Sequence, residues 1–315
     1  MAFLEQPTQL SDGESNLGDV FDAQFLRRLE QIELLARRIF RGQIRGERIT
    51  KRRGRGLEFT DYRPYQAGDD LRYMDWNVSA RLDKLFLKIF ASEEDLSLHV
   101  LLDTSASMSV GTLEKFDYAR RLAAAFAYIG VANLDRVTVS GFDASCLSNP
   151  AVFSSRRHMV RVFETLKNLA PRGVSSFSQS MESFCAMGRS RSRGLVVVLS
   201  DLLTDSAAAG RDIIRGLDVL RLRGHDVAVV HVLSEEDIEP PLDGALELVD
   251  AETRDVMRLN ADDSLRQAYA KALCQYLDLL EQQTKARGVH YLRTSTAIPF
   301  EDVMLKYLRY GAGFS

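Results

Sequence analysis

Two apolar runs, each halted by an aspartate, constrain this fold more than any other feature. Leu98-His99-Val100-Leu101-Leu102 stops at Asp103, and Leu195-Val196-Val197-Val198-Leu199-Ser200 stops at Asp201. A run without polar alternation is a strand buried on both faces, which is the habit of parallel sheets covered by helices. In such sheets ligands gather outside the carboxyl ends of the strands, so polar residues that directly follow a strand are placed for binding. The loop after the first run, Asp103-Thr104-Ser105-Ala106-Ser107, offers a carboxylate and two hydroxyls at alternate positions. Between the runs, Arg172-Gly173-Val174-Ser175-Ser176-Phe177 places hydroxyls ahead of the helical stretch from Gln179 to Gly188. Three loops would then bring oxygen atoms to one edge of one sheet.

Hard oxygen donors on short side chains suit a cation of the magnesium class, which keeps part of its water shell. Zinc or iron would recruit His or Cys, and this loop has neither. The plain alternative is a capped turn, with Thr112 capping a helix from Leu113, since Ser and Asp are common in turns. The pattern resembles the metal-ion-dependent adhesion site of von Willebrand factor A domains. Asp103, Ser105, Ser107 and Asp201 match its motif directly. Ser175 or Ser176 stands where that family usually has Thr, and spacing to Phe177 favours Ser175. Leu202 stands where Gly is frequent. The resemblance implies Mg2+, with Mn2+ or Ca2+ as substitutes, and one coordination position filled by an Asp or Glu of a protein partner. Asp103 and Asp201 would act through water, and Ser105, Ser107 and Ser175 directly or nearly so.

The remaining chain alternates strand-like and helical stretches. Phe116–Gly130, Arg157–Leu169, Ile213–Leu222, Ser264–Arg287 and Pro299–Tyr310 read as helices. Arg136–Phe142, His225–Leu233 and Val289–Leu292 read as strands, with Ala151–Phe153 as an antiparallel partner. Such repetition predicts an α/β fold with a doubly wound, mostly parallel sheet. Pro240, Pro241 and Gly244 with alternating leucines mark a hairpin insertion at about 236–258.

Residues 1–20 are polar and acidic and read as a disordered tail. Residues 21–96 read as an amino-terminal extension and 97–315 as the main domain. Phe25, Leu29, Ile32, Ala36, Ile39 and Phe40 recur at helical spacing. From Arg27 to Arg55 there are eleven Lys or Arg against Glu30, Glu33 and Glu47, an excess of eight. An Arg-rich, extended segment follows, from Gly54 to Trp76. Gly56, Glu58, Phe59, Arg63, Tyr65, Gly68, Asp69, Arg72, Asp75 and Trp76 closely resemble the signature of the bacterial family called domain of unknown function 58. That resemblance implies a von Willebrand A-like domain downstream and a MoxR-type AAA+ ATPase as partner in maturing a protein complex. Arg63, Arg72, Asp69 and Asp75 are expected to form ion pairs that weld the extension to the core. Trp76, the only tryptophan, is expected to pack there too, so that truncation would cost ~3–5 kcal/mol.

Enzyme classes fare poorly. Ser105 replaces the second acid of an aspartyl-phosphate D-x-D, and neither G-x-S-x-G nor a phosphate-cradling G-x-x-x-x-G-K-[ST] occurs. His99, His231 and His290 fall within strands and His225 at the start of one, where packed histidines are common. A formal charge of -3 argues against a general nucleic-acid binder. Leu122–Leu134 is shorter than the ~18 apolar residues of a spanning helix. Cys146, Cys185 and Cys274 form no C-x-x-C pair, and a reducing cytoplasm fits them. The expectation is a non-enzymatic, metal-dependent protein-interaction module. The alternatives are a metal-free interaction protein that binds through its Arg-rich extension and, further off, an undetected hydrolase.

Overall fold

The computed structural model describes residues 2–4, 20–43, 59–66, 69–82, 84–90, 97–110, 114–133, 136–143, 151–174, 176–187, 194–203 and 209–310. In chain order the elements are β1 (Ala2–Leu4), α1 (Ala23–Gln43), β2 (Phe59–Pro64), α2 (Trp76–Leu82), β3 (Phe86–Phe90), β4 (Ser97–Asp103), α3 (Glu114–Asn133), β5 (Arg136–Phe142) and β6 (Ala151–Phe153). There follow α4 (Met159–Asn168), α5 (Phe177–Ala186), β7 (Gly194–Ser200), α6 (Ala209–Leu222), β8 (Asp226–Leu233), α7 (Glu235–Ile238), β9 (Gly244–Asp250), β10 (Val256–Ala261), α8 (Asp263–Ala286), β11 (His290–Ser295) and α9 (Phe300–Tyr310). Two compact units result, Met1–Ile39 with Leu96–Phe314, and Phe40–Asp95.

The larger unit is built on a six-stranded sheet in the order β11-β8-β7-β4-β5-β6. Its pairings are parallel except that of the edge strand β6, which runs antiparallel to β5. This is the doubly wound, mostly parallel sheet that the apolar runs predict. Alternate strand residues Leu101, Val196, Val198, Val227 and Val229 pack with Phe177 and Met181 of α5 and Ile213 and Leu217 of α6 in one apolar cluster. The intervening Val100, Leu102, Val197, Leu199 and Val230 are fully buried as well. Both faces are therefore covered, which is why the runs show no alternation. Parallel register sets Leu102 opposite Gly141 and Leu199, so β4 and β7 end side by side.

The hairpin expected at about 236–258 is β9–β10, at Gly244–Ala261, and the first residues of that expected range belong to α7 instead. The chain's own Ala2–Leu4, which the sequence assigns to a disordered tail, adds to it antiparallel as a third strand. The rest of that tail, residues 5–19, lies outside the described residues.

Helix α1, counted by sequence with the extension, belongs to the larger unit through Ile39. The stripe Phe25, Leu29, Ile32 and Ala36 is buried, and Phe25 packs against Phe300 with ring centres 5.0 Å apart. Arg28 pairs with Glu301 at 2.7 Å, and the buried Glu33 pairs with Arg156. The basic run from Arg45 to Arg55 lies outside the described residues.

In the smaller unit β2 and β3 form an antiparallel pair. Asp75 is its hub: it accepts from Tyr62 Oη at 2.9 Å, pairs with Lys88 at 3.0 Å, and caps α2 through the amides of Asn77 and Val78. The Lys88 ammonium holds its carboxyl down at about 2. Arg63 pairs with Asp69 at 2.5 Å and Arg72 with Asp70 at 2.6 Å. All four residues of the expected network are ion-paired, but only Arg63 and Asp69 with each other; Arg72 takes Asp70 and Asp75 takes Lys88, and these pairs join residues of this unit to one another. Trp76 is not buried but 66% exposed. Helix α2 turns Ser79 inward instead, where its Oγ accepts from the Phe86 amide at 3.0 Å, so the burial argument for Trp76 fails.

Candidate metal centre

The ends of β4 and β7 bring four of the five candidate ligands together. Asp103 is the last residue of β4 and only 2% exposed. Its Oδ1 accepts from the Ser105 amide at 2.9 Å and its Oδ2 from Ser200 Oγ at 2.5 Å. Ser105 Oγ lies 2.9 Å from Ser107 Oγ, which donates to Asp201 Oδ1 at 3.3 Å. A continuous chain of oxygen atoms thus runs from one strand end to the next. The third loop is fastened to the first, because Arg172 N donates to Thr104 O at 2.7 Å and Ala106 N to Gly173 O at 3.0 Å. Ser175 lies outside the described residues. Ser176 begins α5 without capping it through its side chain.

Leu202 explains its own departure from the expected Gly. Its φ is 49°, in the left-handed region that a side chain rarely enters. Burial of the side chain at 2% exposure offsets that strain, as do two hydrogen bonds: the Leu202 amide donates to Ser200 Oγ, and Tyr276 Oη donates to the Leu202 carbonyl.

Sequence reasoning missed three contributors. Ser200 holds Asp103, as described. Lys115 is 1% exposed, with its ammonium 2.9 Å from Asp201 Oδ2 and 3.0 Å from Asp237 Oδ2. Asp237, fully buried, forms a capping box with Ser234 at the start of α7, directly after β8. Signals for both existed. Lys115 falls on the spacing of Ala119, Leu122 and Phe126, the buried stripe of α3, and Ser234-x-x-Asp237 follows an apolar strand.

The donor set fits a hard dication. Burial, and then the neighbouring Asp201 charge, push the Asp103 carboxyl up to about 6, the mark of a site short of positive charge. Among the described residues no group of three His, Cys, Asp or Glu is arranged to hold a metal, so hydroxyls and water would complete the coordination.

Burial also pushes His231, fully enclosed and with Nδ1 2.6 Å from Tyr291 Oη, down to about 4. In chelator the two groups have opposite effects. His231 costs stability as pH falls from its ordinary value near 6.5 toward 4, because only the unfolded chain takes the proton there. Asp103 gains stability as pH falls from about 6 toward 3.8, because the folded chain takes the proton first. Asp103→Asn should therefore lose about 2–3 kcal/mol more than the parent on acidification from about pH 6.5 to 4, at 1.36 kcal/mol per unit. Urea denaturation in chelator at several pH values checks this, and parallel curves for the two proteins would refute it.

Among the described residues no helix is long and apolar enough to cross a membrane. Residues 61–276 match the family described as Protein of unknown function DUF58. The uncharacterized proteins Rv1480 of Mycobacterium tuberculosis (strain ATCC 25618 / H37Rv) and Mb1516 of Mycobacterium bovis (strain ATCC BAA-935 / AF2122/97) are each 29% identical over 260 residues, covering 81% of this chain and 80% of theirs. Similar solved structures include the conserved hypothetical protein BatB from Bacteroides thetaiotaomicron, at 15% identity and TM-score 0.39, covering 69% of this chain and 97% of that one. The SpRpn10 VWA domain is similar at 10% identity and TM-score 0.36, covering 67% and 93%. With more than half of its length matched by the family, the chain belongs to DUF58.

Proposed function

We propose that this chain is a non-enzymatic protein-interaction module whose contact with its partner depends on a divalent cation held by Asp103, Ser105, Ser107, Asp201 and the hydroxyl loop at Ser175–Ser176. The observation that carries this reading is the buried charge count. Asp103, Asp201 and Asp237 set three carboxylates against the one ammonium of Lys115, leaving two negative charges that one dication balances. Mg2+ is the expected ion, with Mn2+ or Ca2+ as substitutes. When bound, the ion supplies an open position that takes an anionic oxygen. The chain's own residues orient it: Ser200 and the Ser105 amide fix Asp103, and Lys115 turns one oxygen of Asp201 away from Ser107. The partner would present an Asp or Glu. By the family resemblance it is a cytoplasmic MoxR-type ATPase or its client.

The test is a thermal melt with and without metal. At a hundred times the dissociation constant, Mg2+ or Mn2+ should stabilise the parent by about 2.7 kcal/mol, and Asp103→Ala should abolish the response. A parent melting curve that is indifferent to millimolar metal would overturn the site.

Lys115 also favours a second reading, since it already neutralises one carboxylate without metal. In that reading the contact runs through the Arg-rich region and involves no metal. Affinity for a MoxR-type ATPase measured at low and high salt, each with magnesium or chelator, separates the two. Loss in chelator alone supports the metal; loss in salt alone supports the basic surface.

A further inference from the structure

The geometry points to a second cation position in this molecule, between Asp201 and Asp237, which the chain fills with its own Lys115 ammonium. Three observations converge on it. The first is enclosure: Lys115, Asp201 and Asp237 are each exposed by no more than 1%. The second is geometry. The ammonium touches one oxygen from each carboxylate, at 2.9 and 3.0 Å; Asp201 directly follows β7, and Asp237 sits in α7, the short helix that follows the neighbouring parallel strand β8. The third is a spare donor: Asp237 Oδ1 is buried and has no hydrogen-bond partner among the described residues. Its Oδ2 is occupied by Lys115 and by the Ser234 amide at 2.7 Å.

Two buried carboxylates with a free oxygen are a donor set for a dication, and the ammonium is the weaker of the two possible occupants in charge. It is also the only one that cannot dissociate. A tethered cation keeps the β7 and β8 loops joined whatever the metal concentration. The exchangeable ion is thereby confined to the Asp103 side of Asp201, and a bimetallic cluster does not form. The inference shares Asp201 with the proposed function but does not need a metal in the native protein.

The experiment is a Mn2+ titration of the full chain, parent against Lys115→Ala, read as ions bound per chain by calorimetry or by electron paramagnetic resonance of free Mn2+. Removing the side chain frees both the charge and the space, so Lys115→Ala should bind one ion more than the parent. Lys115→Ala combined with Asp237→Asn should lose that extra ion. Unchanged stoichiometry in folded Lys115→Ala overturns the inference, as does an extra ion that survives Asp237→Asn. If Lys115→Ala does not stay folded without metal, refolding in Mn2+ is compared with refolding in chelator. Recovery in Mn2+ alone supports the second position, and failure in both overturns it. The two readings fail separately. A parent that binds nothing sinks the proposed function yet leaves the difference between parent and variant to be judged. A parent that binds one ion with no gain in the variant sinks only this inference.

Discussion

Lys115→Met should destabilise the larger unit by about 3–5 kcal/mol in urea denaturation, although methionine nearly matches the volume it replaces. The loss comes from what remains rather than from what is removed. Asp201 and Asp237 would stand side by side, buried and without their shared cation. Burial alone would lower the ammonium's proton affinity, yet the two carboxylates raise it above the ordinary lysine value. Lys115→Met with Asp237→Asn should recover part of the loss, since one uncompensated charge is gone. A single-variant loss below about 1 kcal/mol would place the pair among ordinary exposed ion pairs and refute its buried role.

Phe177→Ala should cost about 3–5 kcal/mol and also weaken the response to Mn2+. The ring is 2% exposed, meets Phe142 edge-on at 6.0 Å, and packs so closely on α6 that a Cβ on Gly216 would fall 2.5 Å from it. It also directly follows the Ser175–Ser176 hydroxyls, so the residue that anchors α5 in the core fixes where that loop starts. Val174→Ala, at a position 47% exposed, is the control and should stay within about 0.5 kcal/mol of the parent. A Phe177→Ala variant that melts like this control would refute the anchoring.

Much of the fold was legible because β4, β7 and β8 are covered on both faces and so appear as uninterrupted apolar runs. The candidate ligands Asp103, Ser105, Ser107 and Asp201 were legible because they follow those runs at once. Lys115 was not, since one charged residue in a helix normally reads as a solvated position, and only partners 86 and 122 residues away give it a reason to be buried. The ownership of α1 was equally hidden. Its apolar stripe declares that a surface will cover it, but not that Phe163 and Phe300 supply that surface. Trp76 misled for a related reason, because a large apolar side chain is buried only where neighbours leave room, and in α2 the inward position went to Ser79.

The exposure of Trp76 has an optical consequence. As the sole tryptophan, it confines indole emission to the unit of residues 40–95, and its solvent contact should place that emission at long wavelength before any unfolding begins. The larger unit carries the buried phenol Tyr118 and the half-buried Tyr276 and Tyr291, each hydrogen-bonded through its hydroxyl. Because Tyr62, Tyr65 and Tyr73 lie in the smaller unit, near-ultraviolet circular dichroism in the tyrosine band reports on both units whereas indole fluorescence reports on the smaller one alone, and the coincidence or separation of the two transitions measures how cooperatively the units melt.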